Sequence, residues 1–165
     1  MKLSEIAAIL HSPIVGADAE FASISTDTRT LKPGQLFIAL SGPNFNANDF
    51  VAAAVAHGAV GAIVSQAVET SIPIIKVNDT RIALGHIARH HRESMNVPVI
   101  AVTGSCGKTT TRALLASVFS QVGQVLASES SFNNDVGVPL TLLRLMPEHD
   151  YVIVEMGANH LGEIA

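Results

Sequence analysis

Residues 97–112 read VPVIAVTGSCGKTTTR: a short apolar run, a glycine-containing turn, then Lys108 and a stretch with helical spacing. A strand that passes through such a turn straight into a helix commits the chain to an open α/β architecture, because the helix must fold back over the sheet that holds the strand. The turn has chemistry as well as geometry. The first N–H groups of a helix have no partner inside it and point at whatever precedes it, which suits an anion. Gly104 and Gly107 let the main chain close around phosphate oxygens, Lys108 reaches toward the β and γ phosphates, and Thr109 offers its hydroxyl to a magnesium ion. The usual pattern, Gly-x-x-x-x-Gly-Lys-Ser/Thr, wants one more glycine where this chain has Val102. That leaves a narrower kind of phosphate loop or an ordinary strand-to-helix turn.

What flanks the loop extends the pattern. A helix over 108–121, a strand near 124–127, a helix near 136–144 and the strand YVIVEM alternate, which predicts a parallel sheet covered on both faces. Upstream, residues 2–10 have helical spacing, QLFIAL reads as a strand after the Pro33-Gly34 turn, and NDFVAAAVAHG reads as a helix ending at Gly58. AVGAIVS and IPIIKV add two short strands. DTRIALGHIARHHRESM, with apolar residues at 82, 84 and 87 and Asp79 or Thr80 as N-cap, reads as a connecting helix. The expected fold class is α/β: a small mixed α/β N-terminal domain over 1–80, a connector over 81–96, and from 97 to 165 the first part of a P-loop parallel-sheet ATPase domain. The closing HLGEIA looks like the opening turn of a further helix. The chain is therefore expected to be the N-terminal piece of something longer.

Composition narrows the function. With 48% hydrophobic residues the chain can build a core, yet its apolar runs are too short for the ~20 residues of a membrane-spanning helix. MKLSEIAAILHS carries Glu5 within its apolar stretch and lacks a small-residue cleavage site, so it reads as an amphipathic helix rather than a signal peptide, and a cytoplasmic location is expected. The lone cysteine, Cys106, cannot form an internal disulfide. A net charge of −4 with no run of Lys or Arg lacks the electrostatic footprint of a nucleic-acid binder. Any phosphate must be held by local geometry.

Several further residues have two readings. Glu155 leaves an apolar strand at the edge where open α/β sheets bind ligands, as a second magnesium anchor or as a solvated carboxylate. His160 faces the same site or is a surface histidine. Asn133 and Asn134 precede a helix; capping accounts for one of them and leaves the other unexplained. Cys106 sits where a helix N-terminus activates a thiol, but we read it as filling a permissive loop position. His86 and His90, one turn apart beside His91, suggest a metal site but have no carboxylate at ligand spacing, so a solvated helix face is expected.

Taken together, TGSCGKTT, NNDVGVP and EMGANHLGEI resemble the Mur ligases of bacterial cell-wall synthesis, whose phosphate loop, T-G-[ST]-[NS]-G-K-[ST]-[ST], also lacks the first glycine. Residues 25–42, STDTRTLKPGQLFIALSG, look like that family's uridine-nucleotide-binding domain, with D-[ST]-R, then P-G-[DQ]-L-F and a following glycine. The resemblance covers essentially the whole chain and is closest to the last of the four ligases. It implies an ATP-dependent amide ligase. ATP phosphorylates the terminal carboxylate of UDP-N-acetylmuramoyl-tripeptide, and the amine of D-Ala-D-Ala attacks the acyl phosphate. By the same resemblance Gly104, Ser105, Cys106, Gly107, Lys108, Thr109 and Thr110 surround the ATP phosphates, with Lys108 and Glu155 as the catalytic pair. Thr109 and Glu155 hold Mg2+, and Asn134 lines the nucleotide site. Asp27, Thr28, Arg29, Gly42 and Asn46 receive the UDP-muramoyl substrate. A monomer with no nucleic-acid or membrane partner goes with this reading.

The chain departs from the family at Cys106, where Asn or Ser is usual, at Asn46 and Asn48, where Asp and His are frequent, and at Ser130 and Ser131, where Gly-Asn is common. It also lacks the lysine carbamylated in many members and the C-terminal domain that brings D-Ala-D-Ala, so these 165 residues alone are not expected to ligate. The alternatives are a small-molecule P-loop kinase or NTPase and a non-catalytic nucleotide-binding module. A kinase has no reason for a separate domain ahead of the loop.

Overall fold

In the computed structural model, which describes residues 1–42, 45–129 and 132–157, the chain divides at Ile87/Ala88 into two units. The first begins with α1 (Leu3–Leu10), followed by β1 (Ile14–Val15), β2 (Ile24–Ser25), β3 (Leu36–Ile38), β4 (Ser41–Gly42) and β5 (Phe45–Asn46). A 3-10 turn, Ala47–Phe50, runs into α2 (Val51–Ala56), and β6 (Gly61–Val64) and β7 (Ile74–Lys76) complete the unit. The sheet order is β1-β7-β6-β3-β2, parallel except for β1 at one edge. Every residue of β3 and β6 is buried, as expected of parallel strands covered on both faces. Phe37, Ala62 and Val64 pack in one cluster with Val51 and Ala54 of α2. Leu3 and Ile6 of α1 are fully buried, and α1 presses so closely that a Cβ on Gly61 would lie 2.9 Å from Leu3 Cδ1.

The helix α3 (Thr80–Glu93) carries the chain from the first unit into the second. Asp79 is its cap: one carboxylate oxygen accepts from the N–H groups of Arg81 (2.7 Å) and Ile82 (3.1 Å). Thr80, the other candidate, is buried instead and donates its hydroxyl to the Ala39 carbonyl at 2.9 Å, tying the helix start to the end of β3.

The second unit contains β8 (Val99–Val102), α4 (Lys108–Phe119), β9 (Val125–Ala127), α5 (Gly137–Leu142) and β10 (Tyr151–Glu155). Its sheet is parallel, in the order β8-β10-β9. Central β10 buries Val152, Ile153 and Val154, and Leu126 and Leu145 pack with Val152 and Val154. Glu155 pairs with Val102 in register, so the carboxylate emerges beside the loop that follows β8. α4 has no fully buried residue, and Leu114 and Val118, one turn apart, stay largely exposed.

The strands β1, β2, β4 and β5, each two residues long, were not anticipated, because alternation cannot be read over so short a span. The helix expected over 48–58 is shorter, since its first turn is the tighter 3-10 form. Among the described residues no helix is long and apolar enough to cross a membrane.

Candidate functional site

Val102 is the last residue of β8, 9% exposed, and its carbonyl accepts from the Met156 N–H at 2.8 Å. It belongs to the sheet ladder and not to the turn, so nothing there calls for glycine. The turn proper starts after it. Gly104 (φ 146°) and Gly107 (φ 74°) lie where a side chain is strained, and Gly107 is the N-cap of α4. Lys108 leans back over the loop, its Nζ donating to the Gly104 carbonyl at 2.7 Å. Thr103, Gly104, Ser105 and Lys108 line an open cavity of about 460 Å³ together with Asn133, Asn134 and Gly157. Cys106 is exposed, as is Thr110.

Glu155 is 2% exposed. Its Oε2 accepts from Thr109 Oγ1 at 2.8 Å and its Oε1 from Asn133 Nδ2 at 3.0 Å, while Arg112 Nε stands 3.8 Å from Oε2. Its backbone N–H donates to Ser128 Oγ at 2.9 Å. Burial pushes the Glu155 carboxyl upward. The hydrogen bonds from Asn133 and Thr109 and the charges of Arg112 and Lys108 outweigh burial, and hold it below its ordinary value. An ionised carboxylate and a hydroxyl are the hard oxygen donors that magnesium takes. Their 2.8 Å separation is near the ~3 Å between neighbouring ligands of an octahedral ion with bonds of about 2.1 Å. The residues present fit magnesium.

The two amides divide the work that one cap left over. Asn134 Oδ1 accepts from the N–H groups of Gly137 (2.8 Å) and Val136 (3.3 Å), capping α5, while Asn133 carries the bond to Glu155. Both line the cavity. Gly137 is required by space: a Cβ there would clash with the Phe132 backbone at Cα. Sequence reasoning passed over Asn133 as the carboxylate's partner, and over Ser128 and Arg112. Arg112 had a signal, since it lies four residues after Lys108 and so on the same helix face. His160 lies outside the described residues, as do Ser130 and Ser131. His86 and His90 are exposed on α3, and His91 Nε2 lies 2.8 Å from the Leu145 carbonyl oxygen. Among the described residues no three His, Cys, Asp or Glu side chains gather as a metal cluster.

The first unit holds a cavity of about 510 Å³ whose lining includes Asp27, Thr28, Arg29, Phe45 and Phe50. The Asp27 carboxylate accepts from the Arg29 backbone N–H (2.9 Å) and from its Nε (2.9 Å) and Nη2 (2.6 Å). This fork, with the backbone bond behind it, holds the Asp27 carboxyl down at about 2. Phe45 and Phe50 stack with centroids 5.7 Å apart. Gly42 and Asn46 do not line this cavity but belong to the β4–β5 hairpin that carries Phe45. Asn46 Oδ1 accepts from Asn48 Nδ2 at 2.7 Å. Buried Asn48 also donates to Ser41 and Ser65 Oγ, both at 3.0 Å, and accepts from the Ser65 N–H. These two asparagines tie the hairpin to the residue that follows β6.

The family described as "Mur ligase family, catalytic domain" matches residues 20–102, and "Mur ligase middle domain" matches 102–165. The UDP-N-acetylmuramoyl-tripeptide--D-alanyl-D-alanine ligase of Escherichia coli (strain K12) is 46% identical over 99% of this chain and 36% of its own length. A crystal structure of MurF from Acinetobacter baumannii superposes with a TM-score of 0.90 at 39% identity, over 98% of this chain and 36% of that one. MurF ligase from Thermotoga maritima in complex with ADP gives a TM-score of 0.79 at 27% identity, over 86% of this chain and 33% of that one. The chain thus spans about a third of the length of the relatives it matches.

Proposed function

We propose that this chain, which belongs to the Mur ligase family, carries the substrate-binding and phosphate-binding parts of an ATP-dependent amide ligase that joins D-Ala-D-Ala to UDP-N-acetylmuramoyl-tripeptide. The observation that carries the reading is Glu155: a buried, ionised carboxylate sharing a hydrogen bond with Thr109 directly behind a loop of two left-handed glycines and a lysine. The names of its relatives supply the substrates.

In this reading residues 1–80 are the UDP-muramoyl-peptide-binding domain, 81–96 the connecting helix, and 97–165 part of the ATP-binding domain. ATP with Mg2+ supplies the phosphoryl group that turns the tripeptide's terminal carboxylate into an acyl phosphate open to attack by an amine. The chain's own groups bind and orient. The N–H groups of residues 104–110 surround the phosphates, and Lys108 exchanges the Gly104 carbonyl for a phosphate oxygen. Thr109 and Glu155 hold the cation, and Asn133 fixes Oε1 so that Oε2 stays beside Thr109, while Asn134 fixes the start of α5. In the first unit Asp27, Thr28 and Arg29, with the hairpin of Gly42 and Asn46, receive the uridine nucleotide. The protein works as a cytoplasmic monomer.

Isothermal titration with Mg-ADP and with UDP-N-acetylmuramoyl-tripeptide tests this. Both ligands are expected to bind, and Lys108→Ala is expected to abolish the Mg-ADP response while leaving the uridine ligand's intact. Binding of ADP with no response to any uridine nucleotide would sink the ligase reading.

A further inference from the structure

Arg112 is not part of the phosphate loop, yet its side chain is only 13% exposed and is bound up with the loop's carboxylate. It stands one turn after Lys108 on α4. Its Nη1 donates to the Ser128 carbonyl just past β9, and its Nε lies 3.8 Å from the same Glu155 oxygen that accepts from Thr109. Ser128 closes the ring, its hydroxyl accepting from the Glu155 N–H at 2.9 Å. A guanidinium this deep is costly unless its charge is balanced, and here the balance is the carboxylate that emerges beside the loop. The fixed fork of Arg112 thus spans from the end of β9 to the end of β10 beneath Thr109.

We propose that Arg112 is a positioning residue of the phosphate site: anchored on the Ser128 carbonyl, its guanidinium holds the Glu155 carboxylate against Thr109, so that both oxygens are already placed when a magnesium nucleotide arrives. This rests on the loop reading given above. Ligands held by such outer partners lose metal affinity when the partner is removed. A charge this close to a cation site also repels the cation, so removal of Arg112 could act in the opposite sense. The geometry favours positioning, because Nη1 is tied to the Ser128 carbonyl and the 3.8 Å contact of Nε with Oε2 is an ionic attraction that leaves the hydrogen bond from Thr109 to that oxygen in place.

The test is ADP binding to the whole chain across a magnesium series, by titration calorimetry, for wild type, Arg112→Met, Arg112→Gln and Arg112→Lys. Arg112→Met is expected to raise the magnesium concentration for half-maximal effect about tenfold. ADP affinity in EDTA should stay within about twofold, and Arg112→Lys should restore most of the magnesium response by keeping the charge. Should Arg112→Met fail to fold by circular dichroism, Arg112→Gln against Arg112→Lys makes the same comparison. An unchanged or lowered magnesium requirement overturns the proposal, as does an equal loss of magnesium-free affinity or a folded Arg112→Lys no better than the neutral variants. If wild type itself shows no magnesium effect on ADP binding, the loop reading fails and Arg112 is reduced to a structural ion pair.

Discussion

The two cavities are built from opposite materials. In the first unit the polar rim is a pair of side chains, Asp27 and Arg29, that satisfy each other at the surface, with Arg29 86% exposed. In the second, a glycine loop, Lys108 and two asparagines line the cavity, and one of those asparagines is bound to a carboxylate that is almost wholly buried and hydrogen-bonded on both oxygens. Exposed charges in water are screened and interact weakly; buried ones interact strongly, and a missing partner is expensive. A surface rim can therefore change with little damage to the fold. A buried carboxylate cannot.

The contrast is sharpest at Glu155. Glu155→Gln removes the buried charge that stands beside Arg112, and is expected to cost about 3 kcal/mol in chemical denaturation of the second unit while abolishing any magnesium response in ADP binding. Uridine-nucleotide binding should not move; if it falls equally, the two cavities are not separate in function. Next come the tight glycines. Gly137→Ala drives a Cβ into the backbone of Phe132 and is expected to destabilise by about 2–3 kcal/mol. Gly61→Ala meets the tip of Leu3 and, at 3.3 Å, the Pro73 carbonyl oxygen, and should cost about 1 kcal/mol. Equal losses in thermal melts would mean that the backbone near 132 yields as readily as a side-chain tip.

Acid separates the cavities more gently. Both carboxyls have lowered values in the folded chain, so each contributes stability that is present above its unfolded value and fades as pH falls through its folded one. For Asp27 that window runs from 3.8 down to about 2. Lowering the pH from 7 to 5 should therefore leave the Asp27–Arg29 fork untouched, as the Asp27 carbon shifts in NMR would show. A change in those shifts above pH 5 would contradict the fork. The smallest effect is expected from Asp27→Asn, which should lower the denaturation midpoint only slightly, because the pair is exposed, yet weaken uridine-nucleotide binding.

Much of the second unit was legible because its physics is local. A glycine loop needs particular backbone angles within a few residues, and β10 announces itself as a continuous apolar run ending in Glu155. The helix start at Asp79 was half legible: both Asp79 and Thr80 are capping residues, and only the nearness of the Ala39 carbonyl separates their roles. Asn133 and Asn134 are alike for the same reason. An amide that caps and an amide that braces a carboxylate look identical until β10 is placed beside them. In the first unit the stacked Phe45 and Phe50 flank a hairpin of two-residue strands, whose pairing depends on neighbours rather than on any run of residues. Ser65, which helps lock that hairpin through Asn48, is 17 positions away in sequence. Tertiary company of this sort leaves no local trace.

The approach of Leu3 to Gly61 reaches into the chain's history. With 2.9 Å between a notional Cβ and Leu3 Cδ1, a methyl at 61 must push the Leu3 side chain aside, and anything bulkier requires a smaller residue at 3. Either change alone leaves a clash or a hole, so the two positions are expected to drift together as lineages diverge. An α1 grafted from one relative onto the sheet of another should be accepted only where those two residues are inherited as a pair.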